Sequence, residues 1–260
     1  MFSHESHCHY RRNPLGEVIC QLRFPEILAI SAKPPVDYQE AIRDASPQFL
    51  RKAETPAPKI AGAPGHLTLE NPPATINYQF SSRDGIWRVN LTSRFISLSC
   101  SRYDSWENFA QKLDKPLAAF IRIYKPAYFE RIGLRYLNFF SRSALDLEEV
   151  PFSQLFSPCY LGPLGEDDVA PGAITRCGVD TELAIRGGCR AKIHAGPGLI
   201  RQGGKEDKEI KFIFDQDLFM AGQVDVSLTT GALNTLHLQA DSIFRGAITP
   251  TLHQAMEPVE

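Results

Sequence analysis

Arg131, Gly133 and Arg135 share one face of a strand-like run, Phe129-Glu130-Arg131-Ile132-Gly133-Leu134-Arg135-Tyr136-Leu137-Asn138, because side chains two apart on a strand point the same way. Two guanidinium groups flanking a glycine can clamp a phosphate or a carboxylate. Each offers a rigid fork of donors, and the glycine admits close backbone approach. The alternative is a solvent-facing strand whose arginines pair with carboxylates on neighbouring elements. Glu17 and Glu107 are the expected partners, since the first strand and the long helix should lie near this one.

His237 and Asp241 stand one helical turn apart. That spacing can orient an imidazole for acid–base work or supply metal ligands, and it equally suits an ordinary helix-surface contact. His4, His7, Cys8 and His9 form a local cluster of soft ligands, but no second half closes a metal site around them, so a tail is the simpler reading. No Walker loop, G-x-G-x-x-G fingerprint, G-x-S-x-G elbow or EF-hand occurs. No catalytic residue, cofactor or metal is assigned.

Positioning these residues requires a folded frame, and the composition provides for one. The chain has 260 residues, 43% hydrophobic and 22% charged, an ordinary balance for a globular protein with a sizeable core. A net charge of −2 gives no global field toward nucleic acid, leaving only a local basic groove possible. No apolar run is long enough to span a bilayer, and the start lacks the cationic-then-apolar order of a secretory signal. None of the six cysteines forms a C-x-x-C pair. Cys20 and Cys100 fall in apolar runs, and a hairpin at Gly187-Gly188 would set Cys177 opposite roughly residue 197 and not Cys189. A reduced, cytoplasmic protein without disulfides is expected.

The order of elements is read from periodicity. Residues 1–13 are expected as a tail. A first strand follows, with Val18, Cys20, Leu22 and Phe24 on one face. A helical pattern covers 36–53, interrupted by Pro47, and Pro56–Pro64 reads as a loop. Strands are expected at 66–70, 75–81 and 86–103, with a hairpin at Asp84-Gly85 and a break near Ser93-Arg94. The clearest helix runs from about Ser105 to Tyr124. Its stripe is Trp106, Phe109, Leu113, Leu117, Phe120, Ile121 and Tyr124, capped by Asp104 with Glu107, and Pro116 lies on its solvent side. After the arginine strand come a short helix at 151–157 and a loop at 162–172. Strands are then expected near 173–186, 189–195, 208–215 and 222–230, followed by a helix over 232–245 and a short helix capped by Thr249-Pro250. Strands joined by tight turns, with helices at intervals, predict an α+β fold with mainly antiparallel sheets. The first half is ordered like a split βαβ, ferredoxin-like unit. The domains expected are 14–145 and a second α+β half, 146–260, packed on it or continuous with it.

Four blocks together resemble a sporadically distributed bacterial protein family of unknown function. They are Asn13-Pro14-Leu15-Gly16-Glu17-Val18, Tyr103-Asp104-Ser105-Trp106-Glu107-Asn108-Phe109, Arg131 to Asn138, and Leu236-His237 through Phe244 to Ile248-Thr249. The resemblance covers nearly the whole chain. It implies no catalytic residue. A scattered distribution implies genes that move horizontally, as phage-defence and toxin–antitoxin genes do. The function expected is a non-catalytic binding or accessory protein with an anion-binding groove, its partner a macromolecule or an anionic ligand. The alternatives are a nucleic-acid-processing or phosphoryl-handling enzyme using Arg131, Arg135 and His237, and a structural subunit.

Overall fold

Period-two alternation becomes strand, and the long apolar stripe becomes helix. The computed structural model describes residues 1–5, 8–54, 59–61, 68–70, 74–170, 173–202 and 205–259. In chain order the elements are β1 (His9–Tyr10), β2 (Leu15–Arg23), α1 (Leu28–Ala32), α2 (Val36–Ile42), β3 (Gln48–Glu54), β4 (Lys59–Ala61) and β5 (Thr68–Glu70). They continue with β6 (Thr75–Ser81), β7 (Trp87–Leu91), β8 (Phe95–Cys100), α3 (Trp106–Tyr124), β9 (Phe129–Phe140), β10 (Val179–Ala184) and β11 (Cys189–Gly198). The last are β12 (Arg201–Gln202), β13 (Lys205–Glu206), β14 (Lys211–Val224), α4 (Thr229–Ala247), α5 (Pro250–Ala255) and β15 (Pro258–Val259). The fold is α+β, with antiparallel ladders. Contacts divide it into a first unit of Met1–Ile19, Ile132–Ala221 and Ser227–Glu260 and a second of Cys20–Arg131 and Gly222–Val226. The divisions fall inside β2, β9 and β14 and in the turn before α4.

In the second unit the strand order is β2-β8-β7-β6-β3. Asp84-Gly85 makes the β6–β7 turn as expected, Gly85 taking the positive φ (71°) that an L residue resists. The chain reverses again at Thr92–Phe95, where the Thr92 N–H donates to the Phe95 carbonyl at 2.9 Å. The buried face of β2 (Cys20, Leu22, Phe24) meets α3, with Phe24 and Phe120 rings 4.7 Å apart. The ferredoxin-like start is not confirmed. That order would set the first strand parallel to its inner neighbour, whereas the Phe24 N–H, at the end of β2, donates to the Arg94 carbonyl just before β8.

The helical pattern expected over 36–53 ends at Ile42, and residues 48–54 form strand β3 on β6, with Gln48 opposite Ser81 and Glu54 opposite Thr75. Pairing with an existing edge outweighs the weak helical period once Pro47 has interrupted it. Ser105, not Asp104, caps α3 by accepting from the Asn108 N–H. Pro116 is buried, not on the solvent side, and the Tyr38 hydroxyl donates to its carbonyl at 3.2 Å. Trp106 is half-buried, stacked on fully buried Phe109. Within the expected loop at 56–64, residues 59–61 pair with 68–70, while 55–58 and 62–67 lie outside the described residues.

In the first unit the order is β10-β11-β14-β9-β2. Ile132, Leu134, Phe140, Ala191, Ile193, Phe212, Phe214 and Leu218 fill one sheet face. α4 and the 310 turns between residues 143 and 165 cover it. Aromatic contacts join them: Phe140 to Phe156 (4.9 Å), Phe156 to Phe212 (3.9 Å) and Tyr160 to Phe214 (5.0 Å). The strand expected at 222–230 does not exist as such. β14 continues to Val224 and α4 starts at Thr229. Thr249 caps α5 as expected, its hydroxyl accepting from Leu252 N–H. The expected tail is also corrected. β1 pairs with β15, Ser3 N–H donates to the Ser242 carbonyl, and Arg12 bridges Asp146 and Glu257. The short N-terminal segment gains order from the α4–α5 surface, which local sequence cannot reveal. Among the described residues no helix is long and apolar enough to cross a membrane.

Candidate functional site

Arg135 projects from β9 on the face opposite the covered one, since its neighbour Tyr136 points inward. Its guanidinium is forked onto Asp215 of β14, Nε to Oδ1 at 2.8 Å. The same carboxylate, with the charges of Asp217 and Glu17, raises its pKa further. The pairing continues across the sheet. His194 stands opposite Asp215 in the ladder and its Nδ1 lies 2.8 Å from Asp180 of β10. Glu182 binds Arg190 at 2.6 Å and Lys192 at 3.7 Å. The result is a shallow hollow whose walls are charges already in register. Every base described on β11 in this hollow faces an acid across the ladder. Such pairs are worth little individually, but they occupy the donors an anion would use.

The sequence-predicted residues divide between the two units. Glu17 and Arg135 share the open face of the first unit, close enough for charge to act. His237 is on the other side of that sheet, where its Nδ1 lies 2.9 Å from the Tyr136 hydroxyl. Asp241 follows one turn later on the same half-buried stretch of α4. Arg131 and Glu107 belong to the second unit. There Arg131 acts on Cys20, whose thiol burial pushes up to about 12 while the guanidinium opposes the rise. Glu107 is exposed in the first turn of α3. Of the His-rich cluster, His7 lies outside the described residues. No group of three metal-ligating side chains occurs among those described. Instead, Tyr10 takes part in a polar knot. Its hydroxyl is 2.9 Å from His253 Nδ1, and Arg245 reaches both and also Glu5. Asp217 lies beyond the strand expected at 208–215, and Asp215 lies inside it but meets Arg135 across 80 residues of chain. Yet Phe214-Asp215-Gln216-Asp217-Leu218 alternates as a strand should.

A second cavity, not foreseen, lies in the second unit between α3, the end of α2 and the β6–β8 strands. It encloses about 430 Å³, within the range of small-molecule sites. Its floor is apolar: Ile42, Trp87, Val89, Leu98 and Pro116. Val89 and Leu98 sit side by side as a ladder pair. Gln111, Lys112 and Lys115 of α3 form one rim, and Ser82 with Asp84 the other. Asp84 is held in its turn by the Ser82 hydroxyl and the Ile86 N–H (3.0 Å), which keep its carboxyl below the usual range. Lys115 is bound by Asp44. Lys112 is engaged by no carboxylate among the described residues.

Position 116 adds a further feature. An α-helical N–H bonds the carbonyl four residues earlier. Proline has no N–H and its ring crowds that carbonyl, so position 116 gives the Lys112 carbonyl no helical donor. Compared with protein-family models and with curated proteins, the chain matches none.

Proposed function

We propose that this chain is a non-catalytic binding or accessory protein of the cytoplasm that holds an organic anion in the cavity of its second unit, and that it belongs to the sporadically distributed bacterial family its sequence blocks resemble. The observation that carries the binding role is the cavity itself. An apolar floor of Trp87, Val89 and Leu98 lies under a rim with one uncommitted lysine. An apolar pocket with a few placed polar groups is the usual form of a small-molecule site. The arginine strand supports the role less well, because Arg135 is already committed to Asp215. A cytoplasmic setting agrees with six free thiols, three of them buried.

The test uses Trp87 as reporter. In a Trp106→Phe background it is the only tryptophan. Titration with 1-anilinonaphthalene-8-sulfonate should quench its emission saturably with one site per chain. Ala45→Phe, which fills the cavity mouth, should remove the effect. Quenching unchanged by Ala45→Phe would refute the assignment.

A further inference from the structure

We infer that the cavity of the second unit takes a zwitterion whose charges stand at opposite ends of an apolar body, the chemistry of a short apolar peptide with free termini, bound one per chain. This rests on reading that cavity as the ligand site, and it adds a cationic end to the anionic one. Three observations carry it. The floor of Ile42, Trp87, Val89, Leu98 and Pro116 is apolar, and a space of about 430 Å³ suits a small organic molecule. The two sides of the mouth carry opposite charge. On α3, Lys115 pairs with Asp44 and Lys112 meets no carboxylate among the described residues, so that side keeps a positive charge. On the other side stands Asp84, in the β6–β7 turn. The Ser82 hydroxyl and the Ile86 N–H both donate to its Oδ1, so its Oδ2 and its charge stay on the rim. The charge of Arg102 also reaches this carboxylate, as the smallest of the influences on it. The third observation is the separation of the two signs. The cation belongs to a helix and the acid to a turn between strands, with the apolar floor between them. A ligand matching both sides sets a carboxylate on Lys112 Nζ and an ammonium on Asp84 Oδ2, each a charge-assisted bond, and lays its apolar body on the floor. Ser46 and Gln111, which also line the mouth, offer polar groups to a peptide bond between the two ends. A ligand of one sign leaves one side of the mouth unmatched. A free amino acid carries both signs on one carbon and does not span the floor.

The experiment is calorimetric titration of the full chain with four probes: the dipeptide leucylphenylalanine, its N-acetyl form, its C-terminal amide, and free phenylalanine. The acetyl form lacks the cation, the amide lacks the anion, and phenylalanine lacks the span. The dipeptide should bind best. Each blocked form should bind about threefold more weakly, the size expected for one ion pair on an exposed rim, and phenylalanine more weakly still. Asp84→Asn keeps a side chain suited to the turn and should erase the preference over the acetyl form alone. Lys112→Gln should erase the preference over the amide alone. This crossed pattern is one that a general loss of structure does not produce. Equal binding of the dipeptide and both blocked forms, lost in Ala45→Phe, would overturn this inference and leave the cavity as a site. Loss of only one preference would leave a ligand of a single charge and overturn it. Phenylalanine binding as tightly as the dipeptide would overturn the spanning arrangement. Preferences unchanged in both variants would place the probes elsewhere and overturn it too. Binding of none of the four would overturn the inference, and quenching by 1-anilinonaphthalene-8-sulfonate would then show whether the site itself survives.

Discussion

The open sheet face of the first unit and the cavity of the second each set cations on a rigid wall, yet they use them differently. On the sheet face, Arg135, Arg190, Lys192 and His194 each meet a carboxylate on their own or an adjacent strand. On the cavity rim, Lys115 pairs with Asp44, Asp84 accepts two hydrogen bonds on its Oδ1 alone, and Lys112 meets no carboxylate among the described residues. The charge of a side chain therefore says little about binding until its partners are known. A cation whose acid is delivered by the fold contributes to the surface lattice. A cation whose neighbours are otherwise engaged remains available for a ligand.

The largest effect that can break this contrast is loss of the scaffold behind the cavity. Phe109 is fully buried with Trp87 at 5.8 Å. Phe109→Ala should destabilise by about 3–5 kcal/mol, measured by denaturant unfolding, and weaken probe binding with it. Trp106→Ala should be milder, because that ring is only half-buried. A cost as large as that of Phe109→Ala would mean the helix start is more deeply packed than its exposure indicates.

A smaller effect sharpens the sheet-face half. Arg135→Ala leaves Asp215, 17% exposed, without its fork, but Arg135 is itself 44% exposed and the pair is screened. The expected loss is about 1 kcal/mol. Arg135→Ala with Asp215→Ala should restore part of it in a thermal-melt double-mutant cycle. The double change Arg131→Ala with Arg135→Ala should likewise lower the melting temperature more than it alters anion binding. The reverse pattern would return the ligand site to the arginine strand.

Weaker still is the stability effect of Lys112→Ala, expected within about 0.5 kcal/mol of wild type because the side chain is exposed and meets no carboxylate among the described residues. A larger loss by thermal melt would show that Lys112 has a structural partner and remove the contrast.

The polar knot at the N-terminus gives a pH test. Burial, then the charge of Arg245, depresses the pKa of His253 below its usual 6.5. The native state thus favours neutral imidazole, and the unfolded chain binds more protons on acidification. The associated stability is full above pH 6.5 and falls away as pH drops below it. His253→Gln should flatten that part of the stability–pH curve, as read by chemical denaturation between pH 5 and 8. An unchanged slope would assign the acid sensitivity to other groups.

Local order is legible along the chain. The faces of β2, the turn at Asp84-Gly85, the long helix over 106–124 and the Thr249 cap follow from periodicity and from residues with strong local preferences. Periodicity also placed Arg131 and Arg135 on one strand correctly. What it could not determine is what those residues meet. Asp215 is 80 residues from Arg135 along the chain, and ladder order alone brings them together. The same holds for β3, which becomes a strand because β6 offers an unpaired edge, and for the N-terminal residues, ordered by α4 and β15. Pro116 was legible as a helix irregularity, but its burial beside a cavity was not, since that depends on α2 and the strands packed against it. Local propensities act within a few residues. Partners and cavities arise from non-local packing, which assigns each cation its neighbours.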